Sequence, residues 1–150
     1  MRLLRKFLER IGSQFTFDEE DYHKINNKRF LVPLELENKV VRKDKLVYAG
    51  SFLGKDRKDF QPSSLLLKKL ESEENLHRIH VNRDIAWLFV CGRDIFYDNI
   101  TRFEGEFVVG NYFLVVFNGE CLGYGRVWDF EGKLILKNIY DIGDFLRRES

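Results

Sequence analysis

Histidine and cysteine are the residue types in this sequence best suited to metal binding or nucleophilic catalysis, but their spacing supports neither role. His77 and His80 are three residues apart, a spacing at which two imidazoles can share a metal ion on one helix face. No third ligand follows at a recognisable spacing, so we interpret the pair as surface or interface histidines. Cys91 and Cys121 are far apart, and a buried cysteine is more common than a catalytic Cys–His pair.

Short motifs of phosphate-binding and hydrolytic enzymes do not occur in the sequence. It contains no Walker loop, no G-x-G-x-x-G and no G-x-S-x-G. Gly119, Gly123 and Gly125 have the wrong spacing to cradle a phosphate and are typical of turns and bends in a small barrel. Carboxylates occur in solvated runs such as Glu19-Glu20. The sequence therefore predicts a protein that is not an enzyme and that holds neither a metal ion nor a cofactor.

Basic and aromatic residues in the second half of the chain make a better case for nucleic-acid binding. If Leu122–Trp128 is a strand, Tyr124, Arg126 and Trp128 share one face, because side chains alternate with a period of two. Such a face can stack bases and contact phosphates. The commoner alternative is that Tyr124 and Trp128 are core residues and that Arg126 covers them at the rim.

Further basic residues support the same hypothesis, although each has a plain structural alternative. Lys133, Ile135 and Lys137 share one face of a predicted strand, where the lysines either contact an RNA backbone or form the solvated side of a half-buried strand. Arg147 and Arg148 either bind phosphates or complement the C-terminal end of a short closing helix.

Composition indicates the class of protein that carries these residues. The chain has 150 residues, 44% of them hydrophobic and 33% charged, with a net charge of +1, which is typical of a folded, soluble protein. No stretch approaches the roughly 18 apolar residues of a membrane span, and charges interrupt the N-terminus where a signal peptide would be apolar. We therefore expect an intracellular protein. Residues 1–77 carry a net charge of +3 and residues 78–150 one of −2, so RNA would have to bind local patches.

Hydrophobic periodicity predicts two helices in the first half. An apolar stripe from Leu3 to Ile11 ends at Gly12, a typical C-terminal cap. The leucine run Leu65–Leu70 predicts a second helix with Pro62 in its first turn. Short apolar runs predict the following strands: Arg29–Leu34, Lys45–Ala49, Ile85–Val90, Glu106–Val109, Tyr112–Phe117, Leu122–Trp128 and Lys133–Ile139.

The acidic run Glu71–Asn75 marks the expected boundary between two halves. Residues 1–77 are predicted to form a mixed α/β domain and residues 78–150 a small β-barrel, an architecture that leaves few exposed strand edges. Because each half alone would be marginally stable, we expect the halves to pack on one another. The predicted fold class is α+β.

Three segments of the second half resemble the PUA domain, the RNA-binding module named after pseudouridine synthases and archaeosine transglycosylases. Leu88–Phe96 resembles the opening strand, glycine turn, aspartate and short helix of that family. Gly119–Gly125 resembles its internal G-x-x-L-G-x-G strand, and Gly132–Glu149 resembles its closing strand and terminal segment. The three motifs occur in the order and spacing of the family.

The first half extends this resemblance, because Lys45–Lys55 is similar to the K-L-V-x-x-G-x-x-x-G-K stretch of a pre-PUA domain. A pre-PUA domain followed by a PUA domain in so short a chain resembles the Nip-seven family of ribosome biogenesis factors. The resemblance implies a non-catalytic protein whose PUA pseudo-β-barrel binds pre-ribosomal RNA, in some members preferring uridine-rich single strands, and which works with other assembly proteins. We expect a cytoplasmic monomer, or a nucleolar one if the source is eukaryotic.

The resemblance implies RNA contacts at the glycine turn and at the terminal arginines, and strand parity adds the basic residues of the strands. The predicted RNA-binding residues are therefore Gly92, Arg93, Arg126, Lys133, Lys137, Arg147 and Arg148. Two other functions remain open. The near-neutral charge allows a protein–protein adaptor within an RNA-processing complex, and PUA domains also occur in proteins that guide RNA to a modifying enzyme. Salt-dependent RNA binding would argue against the adaptor.

Overall fold

A computed structural model describes residues 1–32 and 51–144, and these residues form three helices, ten strands and two 3₁₀ turns. The helices are α1 (Arg2–Arg10), α2 (Ser64–Glu71) and α3 (Arg83–Val90). The strands are β1 (Tyr22–Ile25), β2 (Lys28–Leu31), β3 (Ser51–Asp56), β4 (Phe60–Pro62), β5 (Arg78–His80), β6 (Ile95–Phe96), β7 (Arg102–Glu104), β8 (Tyr112–Phe117), β9 (Glu120–Phe130) and β10 (Lys133–Asp141). The helices and the two sheets confirm the α+β class. No helix in this part of the chain is long and apolar enough to cross a membrane.

The chain divides into two compact units. The first comprises Met1–Leu8 and Gln14–Glu73, and the second comprises Glu9–Ser13 and the residues from Glu74 onward. The first unit contains a four-stranded antiparallel sheet in the order β1-β2-β3-β4. Phe30 and Val32 are buried at its centre, since almost none of their surface reaches solvent.

Helix α1 follows the predicted apolar stripe. Leu4, Phe7 and Leu8 are buried, and the Phe7 ring lies 5.8 Å from that of Phe60. Gly12 closes the helix with a φ of +77° and donates its N–H to the carbonyl oxygen of the ninth residue, which confirms the predicted cap.

Helix α2 begins later than predicted. Ser63 is its N-cap, and the Ser63 hydroxyl accepts a hydrogen bond from the Leu66 N–H at 3.0 Å. Pro62 lies instead in edge strand β4, so its placement in the first helical turn was wrong. A serine oxygen satisfies a free N–H of the first turn, whereas proline is tolerated at a sheet edge because it donates no hydrogen bond there.

The second unit is built on a six-stranded sheet in the order β6-β10-β9-β8-β5-β7 that curls into a half-barrel. The β5–β8 pair is parallel and the other pairs are antiparallel. Helix α3 packs on the inner face of this sheet, and apolar residues of the helix and of the strands form one core. The buried members of this core are Ile79, Val81, Ala86, Phe89, Ile95, Ile100, Phe113, Val115, Leu122, Val127 and Leu136.

The predicted strand Ile85–Val90 was wrong, because this segment belongs to helix α3. The opening strand implied by the PUA resemblance is wrong for the same reason. Asn82 caps the helix by accepting the Ile85 N–H at 3.0 Å, and the buried residues Ala86 and Phe89 are three apart. A short apolar run has no clear period in the sequence, so a cap of this kind decides between helix and strand.

The predicted strand Glu106–Val109 was also wrong. The nearest strand is β7, and Gly105 and Gly110, with φ values of +107° and +97°, stand on either side of the segment. The Val108 N–H donates to the Glu106 carbonyl within the segment itself. This local bond closes a three-residue turn and takes the Val108 N–H away from strand pairing.

The remaining strand predictions are largely confirmed. Tyr112–Phe117 is β8, and the predicted strands Leu122–Trp128 and Lys133–Ile139 lie within the longer β9 and β10. Arg29–Leu34 overlaps β2, while its last two residues and the whole of Lys45–Ala49 lie outside the residues that the structure describes. Sequence patterns do not predict β1 or β3 to β7, most of which are only two to four residues long.

Candidate nucleic-acid interface

A glycine turn leads from helix α3 to strand β6. Gly92 has a φ of +95°, and its N–H donates to the Phe89 carbonyl at 2.9 Å, while the Arg93 N–H donates to the Leu88 carbonyl at 3.0 Å. These two bonds end the helix in the left-handed conformation that glycine adopts without strain. Gly92 and the Arg93 side chain are exposed, so the predicted turn is present and its arginine can reach a ligand in solvent.

Asn138 on β10 holds this turn in place. Its backbone N–H donates to the Asp94 carboxylate at 2.8 Å, and its side-chain amide donates to the Phe89 carbonyl at 2.8 Å. The same amide donates to the carboxylate of Asp141, which is only 1% exposed, at 2.9 Å. The turn is therefore fixed to β10 by hydrogen bonds on both sides of it, in addition to its own backbone hydrogen bonds.

Strand register arranges the residues of β6, β10, β9 and β8 in rows, because directly paired residues of antiparallel strands share a face. Lys133 pairs with Phe130 in the first row. Ile135 pairs with both Phe96 and Trp128 in the second. In the third, Arg126 pairs with Lys137 and Tyr112. We call six of these residues the basic–aromatic face: Phe96, Arg126, Trp128, Phe130, Lys133 and Lys137.

The aromatic members of this face differ in how much of each ring solvent can reach. Trp128 is 45% exposed and Phe130 50% exposed, whereas Tyr124, on the same side of β9, is only 3% exposed. The Arg126 guanidinium lies 5.6 Å from the ring of buried Tyr112. The alternative is therefore correct that Tyr124 is a core residue, while the ring under the Arg126 guanidinium is that of Tyr112. It is wrong for Trp128, which remains open to a stacking partner.

The charged members of the face are all basic. Lys133 and Lys137 are exposed, Arg126 is half-buried, and the Lys137 Nζ lies 5.5 Å from the centre of the Trp128 ring. Two acidic residues in the adjoining turns already accept hydrogen bonds within the protein. Asp94 accepts the Asn138 N–H, and Asp129 accepts the Gly132 N–H in the hairpin turn between β9 and β10. The face thus combines cations for phosphate with rings for bases, although the half of the chain that contains it is slightly acidic overall.

A cleft of about 410 Å³ joins the glycine turn to this face. Arg93 lines it from the turn and Phe96 from β6, while Phe130 and Ile135 line it from β9 and β10. A second cleft of about 250 Å³ places Lys133 beside Phe96. The structure therefore brings Gly92 and Arg93 next to the face that carries Arg126, Lys133 and Lys137. The other predicted residues, Arg147 and Arg148, lie outside the described residues.

The two histidines with three-residue spacing face different partners. The His77 Nδ1 donates to the carbonyl of Arg10 at 3.0 Å, and its ring stacks on Phe113 with 4.9 Å between centroids. The His80 Nε2 lies 2.7 Å from the Glu104 carboxylate, and this hydrogen bond lowers the pKa of Glu104 below its usual value of 4.5. Among the described residues, no group of three or more His, Cys, Asp or Glu side chains is placed to hold a metal ion.

Sequence reasoning missed Asn138, Phe96 and Phe130. Phe96 and Phe130 face the solvent because of the pairing of β6 and β9 with β10, and this register is not visible in a run of apolar letters. Asn138 stands where the pairing of β10 with β9 shifts, between Asn138 and Tyr140. Such a bulge re-aims a side chain that plain alternation would place elsewhere.

The part of the chain that builds this site also matches a known family. Residues 77–150 match the family model described as the UPF0113 PUA domain. No match to the sequence was found among curated proteins. The glycine turn, the cleft and the basic–aromatic face all lie within the matched residues. Residues 77–150 are therefore similar to a PUA domain, the curled sheet of the second unit is consistent with that module, and a PUA domain suggests RNA binding.

Proposed function

We propose that this protein is a non-catalytic RNA-binding protein that assists maturation of the large ribosomal subunit by binding pre-ribosomal RNA through its PUA domain. The observation that supports RNA binding most is the basic–aromatic face next to the exposed Gly92–Arg93 turn. The ribosomal role, together with work as a monomer among other assembly proteins in the cytoplasm or nucleolus, is based on the resemblance to the Nip-seven family.

The charges on the site set the expected strength of binding. Arg93, Lys133 and Lys137 are exposed cations around one cleft and its adjoining face. For single-stranded nucleic acid, each neutralised phosphate adds about −0.7 to the slope of log K against log salt, so three contacts predict a slope of about −2. A domain with a net charge of −2 adds no general attraction. We expect modest affinity that falls as salt rises.

Fluorescence anisotropy with labelled uridine-rich and adenine-rich single-stranded RNA over a salt series tests this proposal. The wild type is compared with the double variant Lys133→Ala/Lys137→Ala. Lys58→Ala/Lys68→Ala is the matched control, because it removes the same charge from exposed lysines of the first unit. We expect the first double variant to weaken binding and to reduce the salt slope by about 1.4, with little change in the control.

A further variant, Arg147→Ala/Arg148→Ala, tests the terminal pair that the resemblance implies. Loss of affinity in this variant would add the C-terminal arginines to the site. Equal losses in the Lys133/Lys137 variant and in the control would remove the basic–aromatic face from the proposal. Absence of binding at low salt would contradict RNA binding by the isolated protein.

A protein–protein adaptor is the second candidate function, because α3 also carries exposed apolar residues. Trp87 is 68% exposed and Leu88 45% exposed, and both line a cleft of about 630 Å³ together with Ile142. Exposed apolar patches of this kind mark interaction sites more often than isolated surface residues do. Failure to bind RNA at low salt would make the adaptor function the better supported of the two.

A further inference from the structure

Trp128 lies at the centre of the basic–aromatic face, in the row that crosses β6, β10 and β9. Its cross-strand partner Ile135 lies beside it on the same face and is only 4% exposed. Trp128 itself is 45% exposed. A large aromatic ring with about half of its surface open to solvent can act as a stacking platform, and any nucleobase can stack on it because every base has a π face.

In the free protein, the ammonium group of a lysine lies over this ring. The Lys137 Nζ is 5.5 Å from the Trp128 centroid. In the strand register, Lys137 pairs with Arg126 and Trp128 pairs with Ile135, so the contact is diagonal and is made by a flexible side chain. A cation over an exposed ring is weakly held. The lysine can therefore leave the ring without any change in the strands.

We propose that Trp128 is the stacking site for an unpaired RNA base, and that this base replaces the Lys137 ammonium group while the lysine binds a neighbouring phosphate. This inference rests on the proposed RNA-binding function. It restricts the ligand to single-stranded RNA, because the bases of an A-form duplex are stacked inside and cannot lie on an external ring. Stacking alone distinguishes poorly among the four bases, so the site contributes affinity more than sequence preference.

The neighbourhood of the ring favours RNA as the occupant. The charged residues in the rows around Trp128 are Lys133, Lys137 and Arg126, and no residue of these rows is acidic. A polyanion with exposed bases matches both the cations and the ring. An acidic peptide would match the cations alone and would leave the aromatic surface without a partner.

The second tryptophan provides a matched control within the same unit. Trp87 lies on α3, is 68% exposed and lines a different cleft together with Arg83 and Asp84. The chain contains two tryptophans, so Trp87→Phe leaves Trp128 as the only indole, and Trp128→Phe leaves Trp87. Each ring can therefore be followed separately by its own emission.

The test is a titration of both single-tryptophan variants with short single-stranded RNA of uridine-rich and adenine-rich sequence, and with a duplex of the same length. We expect both single strands to quench the Trp128 emission, with the same Kd as in the anisotropy assay, and to leave the Trp87 emission nearly unchanged. Trp128→Ala should raise the Kd roughly 5- to 150-fold, as expected for the loss of one base–aromatic stack. Trp87→Ala should change it less than about twofold.

The outcomes separate this inference from the proposed function. Salt-dependent binding with unchanged Trp128 emission, or quenching by the duplex as strong as by the single strand, would overturn the stacking site and leave RNA binding intact. Absence of binding by the wild type would overturn both. If Trp128→Ala fails to fold, the emission of Trp87→Phe still decides. In Lys137→Gln, we expect a salt slope smaller by about 0.7 with full quenching at saturation, and loss of quenching there would contradict the exchange of lysine for base.

Discussion

Asn138→Ala is the change that should loosen the glycine turn most directly. In the parent protein, the Asn138 amide donates to the Phe89 carbonyl at the end of α3 and to the buried Asp141 carboxylate. Alanine removes these two bonds and a longer one to the Arg93 carbonyl at 3.5 Å, but keeps the backbone bond from residue 138 to Asp94. The substitution thus separates the side-chain anchor of the turn from its main-chain anchor.

The size of the effect follows from these two bonds. A hydrogen bond between neutral groups contributes about 0.5–1.5 kcal/mol and one to a charged group about 1.5–3 kcal/mol. We therefore expect the free energy of unfolding to fall by about 2–4 kcal/mol, which corresponds to a decrease in Tm of roughly 5–15 °C for a chain of this size. Because the turn must then be ordered when ligand binds, RNA affinity should fall roughly two- to tenfold.

Urea denaturation followed by tryptophan emission measures this change. Trp87 and Trp128 both lie in the second unit, so their emission reports the unit that contains Asn138. The exposed Asn75 supplies a matched control, since Asn75→Ala should change the free energy of unfolding by less than about 0.5 kcal/mol.

Two results would refute the reasoning about Asn138. A loss of stability in Asn138→Ala no larger than that in Asn75→Ala would show that the amide does not anchor the turn. A large loss of stability with unchanged RNA affinity, measured where the variant is still folded, would show that the turn does not contribute to the RNA site.

Three further substitutions probe other contacts. The hydrogen bond from His80 lowers the pKa of Glu104 below 4.5, so the stability that this carboxylate contributes is present above that pH and is lost as the pH falls through the folded-state pKa. In Glu104→Gln, the free energy of unfolding should depend less on pH below about pH 4.5, which a pH series of urea titrations measures. In Gly123→Ala, the added Cβ would lie 2.0 Å from a β10 carbonyl oxygen at a φ of +147°, and thermal unfolding should show that the free energy of unfolding falls by about 3–5 kcal/mol. The control Gly119→Ala, where the Cβ meets open space, should lower it by only about 1–2 kcal/mol. Equal losses in the two variants would contradict the close approach at Gly123. Ser63→Ala removes the N-cap of α2 and should lower the free energy of unfolding by about 1 kcal/mol in urea titrations.

Long and regular patterns in the sequence were sufficient to predict the matching parts of the fold. The stripe of α1 has a helical period and ends at Gly12, and the continuous apolar run Tyr112–Phe117 has turn residues on both sides; the structure confirms both elements. Ile85–Val90 and Glu106–Val109 failed for a physical reason. In each, a local hydrogen bond decides the conformation, made by the Asn82 cap in the first case and by the Val108 N–H in the second. Such bonds compete with strand pairing but leave no mark on hydrophobic periodicity.

The candidate site could be predicted only in part for a related reason. Alternation along a single strand correctly placed Lys133 and Lys137 on one face and Trp128 beside Arg126. Alternation cannot show which end of a strand face is covered, so it could not separate buried Tyr124 from exposed Trp128. That distinction, like the role of the side chains that β6 contributes, depends on the order of strands in the sheet, which is a property of the whole unit.

RNA binding at the basic–aromatic face and the glycine turn is the proposal on which the other binding predictions depend. The most direct test is a map of backbone amide chemical shifts of the isotope-labelled protein during titration with short single-stranded RNA. We predict that the perturbed amides cluster at Gly92–Phe96, Arg126–Phe130 and Lys133–Asn138, with the Trp128 indole N–H among the largest shifts. A map without shifts in these three segments, obtained while RNA is demonstrably bound, would show that RNA binds elsewhere on the protein.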